Sequence, residues 1–173
     1  MYEMKFIRRL YEKHHNISFI NPAYSLIGRL TKNSIVVDIG TGFDADFSQN
    51  IIKLYGAKCF GFEPTSRHHQ KLDIIAGESG GLFKYYKFAV SDKNGLRHFF
   101  ESEENTSGSF FNDHINVRKD KICEYDVETI TIGDIFGILN IGKIDLLKMD
   151  IEGEEYSVLS AIDKPIFEKI LQL

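Results

Sequence analysis

Short apolar runs alternate with amphipathic stretches along most of this chain. Ser34-Ile35-Val36-Val37-Asp38 is β-branched through its middle and leads into Ile39-Gly40-Thr41-Gly42, the pattern of a buried parallel strand entering a glycine turn. Behind it, Phe47, Ile51 and Leu54 fall on one helical face that Gly56 can close with a left-handed cap. Lys58 to Phe62 reads as a second strand, ended by Glu63-Pro64. Thr65 or Ser66 can cap a helix whose face carries His68, Leu72, Ile75 and Ala76, before Gly77 to Gly81 break it. Leu82 to Val90 predicts a third strand. From Lys93 to Val127 the pattern turns irregular, with a hairpin arm at Leu96 to Glu101 and a Ser/Asn/Gly-rich loop at Ser102 to Asn116. Thr131 and Asp134 form a capping pair for a short helix to Leu139. Ile144 to Met149 is a further apolar strand, Glu154 to Ala161 a helix, and Ile170 to Leu173 the start of a fifth main strand.

Upstream, Phe6, Ile7, Leu10 and Tyr11 at helical spacing predict an N-terminal helical arm over residues 1–33, ahead of one domain over residues 34–173. The β-α-β-α-β alternation predicts an α/β fold, a mostly parallel sheet with helices on both faces, truncated after its fifth main strand.

Composition narrows the classes. At 173 residues and 43% apolar the chain suits a single core, and a net charge of −4 gives no broad positive surface for nucleic-acid phosphates. Cys59 and Cys123 are too few for a disulfide scaffold, and neither has a partner at metal-finger spacing, which fits a reducing cytoplasm. No apolar signal core follows the charged start, and no window approaches the ~20 apolar residues of a membrane span. Cys59, inside the second strand, reads as a small core residue.

Ligands of open parallel sheets bind beyond the carboxyl ends of the strands where strand order reverses, and each such end here is acidic. At the first, Gly40, Gly42 and Ala45 also satisfy a dinucleotide fingerprint, so the glycines alone do not discriminate. Asp38, with Asp44 and Asp46 beyond, would repel a pyrophosphate but suits the ammonium and sulfonium of S-adenosylmethionine; the alternative is that Asp38 serves only its own turn. Glu63 stands 23 residues after Gly40, the spacing of an acid that meets the two hydroxyls of an adenosine ribose. Ala89 leaves room for adenine, and Ser91 or Asp92 could bond its amino group or simply form a turn.

The fourth end, Leu146-Leu147-Lys148-Met149-Asp150-Ile151-Glu152-Gly153-Glu154, is the most specific stretch. With Val37-Asp38-Ile39-Gly40, Phe62-Glu63-Pro64 and Ala89-Val90-Ser91-Asp92 in order before it, the chain from Ser34 to Leu173 resembles the FkbM-type methyltransferases. The resemblance implies a Rossmann-like class I methyltransferase fold, S-adenosylmethionine as cofactor, and O-methylation of a small molecule, sugar or lipid-linked acceptor. Carried over by motif, Asp38, Gly40, Thr41, Gly42, Glu63, Pro64, Ser91, Asp92 and Asp150 are cofactor residues, and Asp150 and Glu152 lie where cofactor and acceptor meet. The chain departs from the family's G-A-N-x-G loop with Gly40-Thr41-Gly42-Phe43-Asp44, and it stops where further strands normally follow.

Methyl transfer needs two positioned reactants and a base for the acceptor proton. Asp150 or Glu152 fills that role, or the two hold a divalent cation, or both merely cap the helix near Gly153. Asp145, near the strand start, stands apart from them, and Lys148 receives no role. His68 reads as a packed residue, while Ser107, Ser109 and Asn112 in the long loop are in reach of an acceptor. The competing readings are a non-catalytic cofactor-binding module and a nicotinamide-dependent oxidoreductase. An unpaired strand edge at Leu171 to Leu173 would favour a homodimer.

Overall fold

The computed structural model describes residues 16–20, 24–117 and 121–173. A short hairpin, β1 (Ile17–Phe19) and β2 (Ser25–Ile27), pairs antiparallel and is followed by β3 (Ile35–Ile39), α1 (Asp46–Tyr55) and β4 (Lys58–Phe62). A single 3-10 turn over Ser66–His68 leads into α2 (His69–Glu78) and β5 (Phe83–Tyr86). Next come β6 (Ala89–Val90), β7 (Gly95–Ser102), β8 (Gly108–Ser109) and β9 (Ile122–Ile130). The chain closes with α3 (Ile132–Leu139), β10 (Leu146–Met149), α4 (Glu155–Ala161) and α5 (Lys164–Phe167).

Two expectations change. The residues that carried the helical arm, Phe6 to Tyr11, lie outside the described residues, and Ile17–Phe19 and Ser25–Ile27 pair as antiparallel strands, not a helix. Leu26 turns inward there and joins the core with Ile20 and Leu30, so the alternating burial of β2 replaces a helical face. The single third strand from Leu82 to Val90 is two strands in two sheets: β5 pairs with β4, whereas Ala89 and Val90 pair with Thr129 and Ile130 of β9.

The main sheet is parallel, in the order β10-β3-β4-β5. The chain therefore builds outward from β3 through β4 to β5, then crosses back to add β10 on the other side of β3. That reversal lies between β3 and β10. Ile170 continues the parallel pairing outside β10 through a bridge to Ile144, with Leu171 N–H donating to Ile144 O at 2.9 Å and Leu147 N–H to Gln172 O at 2.9 Å.

Strand β3 explains why this sheet is central. Val36 faces one core, with Cys59, Phe83 and Leu146 beside it and Phe47, Ile51, Leu72 and Ile75 of α1 and α2 above. Val37 and Ile39 face the other, with Phe62 and Leu147 beside them and Ile132, Ile135, Phe136 and Val158 of α3 and α4 below. Both faces are thus covered, as a β-branched run without polar alternation requires. Leu54, placed by spacing on the inner face of α1, is instead half exposed. Gly56 does end α1 in the left-handed region, and Thr131 with Asp134 forms a complete capping box on α3.

The second sheet is a ribbon. β7 and β9 pair antiparallel from Gly95↔Thr129 to Ser102↔Ile122, so the stretch read as irregular contains a nine-residue strand. Ala89, Phe99 and Val127 form a small core beneath it.

Candidate functional site

The carboxyl ends of β3, β4 and β10 open on one cleft, and the ribbon supplies its far wall. Its lining includes Gly40 and Gly42 from the first end, Phe62, Glu63, Pro64 and Thr65 from the second, and Asp150, Ile151 and Glu152 from the fourth. Ala89 and Val90 add an apolar surface, and Phe99, Thr106, Ser107, Gly108 and Phe110 close the opposite side. Ser107 lies where the sequence placed it, in reach of the cleft, but Phe99, Thr106, Gly108 and Phe110 carry no local signal that ties them to the strand ends.

The glycine turn is held by backbone proximity. Gly40 N–H donates to Phe62 O at 3.0 Å and Asp150 N–H to Ile39 O at 3.0 Å, extending both ladders past the strands. Gly40 has φ of 71°, and a Cβ placed on it would stand 1.9 Å from the carbonyl oxygen of Asp150. Thr41 is not at the cleft: its hydroxyl donates to Asp38 O at 2.9 Å within the turn.

Asp38 is also not at the cleft surface. Its fully buried carboxylate accepts from Ser48 Oγ at 2.7 Å and pairs with Lys148 Nζ at 3.2 Å. Register puts them together, since Lys148 stands opposite Asp38 in the parallel β10–β3 pair. The same ammonium donates to Gly40 O and braces the turn. Burial raises the Asp38 carboxyl above its ordinary range, with Lys148 and Ser48 pulling it back in part. Lys148 is itself raised: burial would lower it, but the charges of Asp38, Tyr24 and Asp150 together outweigh burial. Asp38 therefore acts on the cleft through the turn it supports, and its charge is compensated before it reaches a ligand.

Glu63 faces the cleft fully oriented. Oε2 accepts Gly42 N–H at 2.7 Å and Oε1 accepts Thr65 N–H at 2.9 Å. Burial would raise its pKa, yet His68, with Nδ1 3.6 Å from Oε1, and the Thr65 donors outweigh burial and hold it below the ordinary glutamate range. A carboxyl depressed in the folded state stabilises it fully above the unfolded value near about 4.3 and loses that contribution as pH falls through the folded value. Thermal melting should thus show wild type ahead of Glu63→Gln at pH 6, with the gap closing below about pH 4.3. A gap constant with pH would contradict this assignment.

The third end contributes less than its motif implies. Ala89 and Val90 line the cleft, but Ser91 and Asp92 do not. Ser91 is buried, accepts from Arg97 Nη1 at 2.6 Å and lies 2.9 Å from Glu154 Oε1; Arg97 also pairs with Glu154. This knot fastens the ribbon to the start of α4.

Asp150 and Glu152 sit at the mouth in unlike settings. Asp150 is exposed, with Tyr24 Oη donating to Oδ2 at 3.5 Å. Glu152 has φ of 54°, a left-handed backbone uncommon for a residue with a side chain. The loop after β7 clamps it: Asn116 Nδ2 donates to Oε2 at 2.8 Å, Ser109 Oγ to its carbonyl at 2.8 Å, and Ser107 Oγ lies 3.4 Å from Oε1. Neither residue caps α4, whose N-cap is Glu154 with no side-chain hydrogen bond at the cap; the N–H groups of Ile151 and Gly153 upstream donate to Glu155 at 2.8 and 3.1 Å. Asn112 does not line the cleft, and Asp145 instead anchors the strand starts by accepting Ile35 N–H at 2.8 Å.

The ribbon is fixed over the second strand end through Glu101, which is buried and takes Arg67 Nε at 3.0 Å, Ser66 Oγ at 3.4 Å and the Tyr125 hydroxyl. Among the described residues no group of three or more His, Cys, Asp or Glu could hold a metal ion, and no helix is long and apolar enough to cross a membrane.

Residues 35–171 match the family model described as the methyltransferase FkbM domain. No curated protein and no solved structure matches the chain.

Proposed function

The chain belongs to the FkbM methyltransferase family, and from that premise we propose that its cleft binds S-adenosylmethionine and passes the methyl group to a hydroxyl of a small molecule, sugar or lipid-linked acceptor. The sheet is then the Rossmann-like one of class I methyltransferases, whose half begins with the strand order seen here. The observation that carries the reading is the cleft's charge: Glu63, Asp150 and Glu152 line it at two strand ends, with no Lys or Arg among its described lining residues. A dinucleotide pyrophosphate would meet uncompensated carboxylates there, whereas a ligand carrying ammonium and sulfonium charges meets complementary ones. Asp150 and Glu152 supply this complementarity, whereas the Asp38 charge is neutralised by Lys148.

Bound S-adenosylmethionine supplies an already activated methyl group. The chain's tasks are then to orient and to accept a proton. Glu63, with both oxygens fixed by backbone donors, suits the ribose hydroxyls, and Phe62, Ala89 and Val90 offer an apolar bed for the base. Asp150 is the better candidate for the proton acceptor, because its carboxylate is open at the mouth while both Glu152 oxygens already face donors of the loop. Glu152 serves by shaping the acceptor side.

Calorimetry with S-adenosylmethionine beside NAD tests the cofactor, and methyl transfer to a hydroxyl-bearing acceptor panel, with and without a chelator, tests the activity and any need for a divalent cation. Asp150→Asn should slow turnover by about a hundredfold and also weaken cofactor binding, whereas Glu152→Gln should mainly raise the acceptor KM. Unchanged turnover in Asp150→Asn would remove it as the base. Cofactor binding with no transfer across the panel would favour a non-catalytic module.

A further inference from the structure

The geometry points to His68 as a second ribose-reading group, whose imidazole bonds a hydroxyl of the adenosyl ligand alongside Glu63; this rests on the cofactor reading above. His68 is 1% exposed, yet it lines the cleft, and neither ring nitrogen has a hydrogen-bond partner in the protein. Nδ1 stands 3.6 Å from Glu63 Oε1, beyond hydrogen-bond length. The ring is held in place by the 3-10 turn, where His68 N–H donates to Thr65 O at 3.1 Å, and by an edge contact with Phe43 at 5.7 Å between centroids.

A packed ring of this shape needs no nitrogens, and burying them without partners costs free energy that a phenyl ring would not. Its neighbour shows the contrast: His69 Nε2 lies 2.9 Å from Glu63 O and is fully accounted for by the turn. Glu63 alone is also an incomplete reader of a diol. An ionised carboxylate only accepts, whereas each hydroxyl both donates and accepts, and an imidazole N–H supplies the donor that Glu63 lacks. The two side chains are adjacent, and both belong to the cleft lining.

The experiment is calorimetric titration of the full chain with S-adenosylhomocysteine and with its 2′-deoxy and 3′-deoxy analogues. His68→Phe should bind S-adenosylhomocysteine about tenfold more weakly and lose that deficit with one of the two deoxy analogues. His68→Met, a flexible apolar side chain, gives the same comparison if the ring variant does not fold. Wild-type binding with equal affinity in the apolar variants, or a deficit that persists with both analogues, overturns the assignment of His68 and leaves the cofactor reading standing. Absence of S-adenosylhomocysteine binding to the wild-type chain overturns both.

Discussion

Gly40→Ala is expected to cost about 4 kcal/mol of stability and to abolish measurable binding of S-adenosylmethionine. Two separate penalties combine. A side chain in the left-handed region that Gly40 occupies costs roughly 1–2 kcal/mol. The added methyl would also stand 1.9 Å from the carbonyl oxygen of Asp150, which is backbone and cannot rotate away. Relief requires the ends of β3 and β10 to part, breaking the Asp150 N–H to Ile39 O bond at 3.0 Å and displacing Asp150 from the mouth. Overpacking of this kind adds about 1–3 kcal/mol. Gly42→Ala is the control, because its φ of 74° brings the same backbone strain while its Cβ meets no atom within 4 Å. Chemical denaturation of both variants checks this; equal losses would show that the contact with Asp150 is not limiting.

Lys148→Met is the second large expectation, at about 3–5 kcal/mol, the range for removing one partner of a buried ion pair. The methionine fills similar volume, so the loss comes from the Asp38 carboxylate, left fully buried with Ser48 as its remaining hydrogen-bond donor, and from the Gly40 carbonyl that loses its ammonium donor. Two measurements separate this from packing. The double variant Asp38→Asn, Lys148→Met should recover part of the loss, since no unpaired charge is then buried. The deficit of the single variant should also shrink at acid pH. The Asp38 carboxyl is raised by burial even with Lys148 present. Without the ammonium it is raised further, so the folded state gains relative stability as pH falls toward the unfolded value and loses it as pH rises. A pH-independent deficit would assign the cost to packing alone.

Both variants probe contacts that pairing creates, and that marks how far the sequence could be read. Strands β3 and β4, the left-handed Gly56 cap and the Thr131–Asp134 box are local, and each lies where residue spacing puts it. Glu63 at the second strand end was legible for the same reason, because a strand ending in a carboxylate before Pro64 needs no distant partner. Lys148 and Asp38 are 110 residues apart and become neighbours only through the register of β10 on β3. Their alternation along each strand was visible; their pairing was not. Leu82 to Val90 looked continuous because its residues suit a strand throughout, while the split depends on β9, which arrives some forty residues later. In β9 itself the signal was present: Glu124, Asp126 and Glu128 alternate with Tyr125, Val127 and Thr129, a period of two that the preceding polar loop obscured. His68 was placed correctly on a buried face, but a face says nothing of whether ring nitrogens find partners.

The ribbon of β7, β8 and β9 belongs to a different sheet from the strands that carry Glu63 and Asp150, joined to them by the Glu101 and Glu154 fastenings and the short β6 pairing. Two walls of one cleft are thus built on independent scaffolds. Under the proposed function, substitutions at Thr106, Ser107 or Phe110 would recontour the acceptor side while Gly40, Gly42 and Glu63 on the parallel sheet keep their geometry, so selectivity could drift, or be engineered, by changes confined to the ribbon.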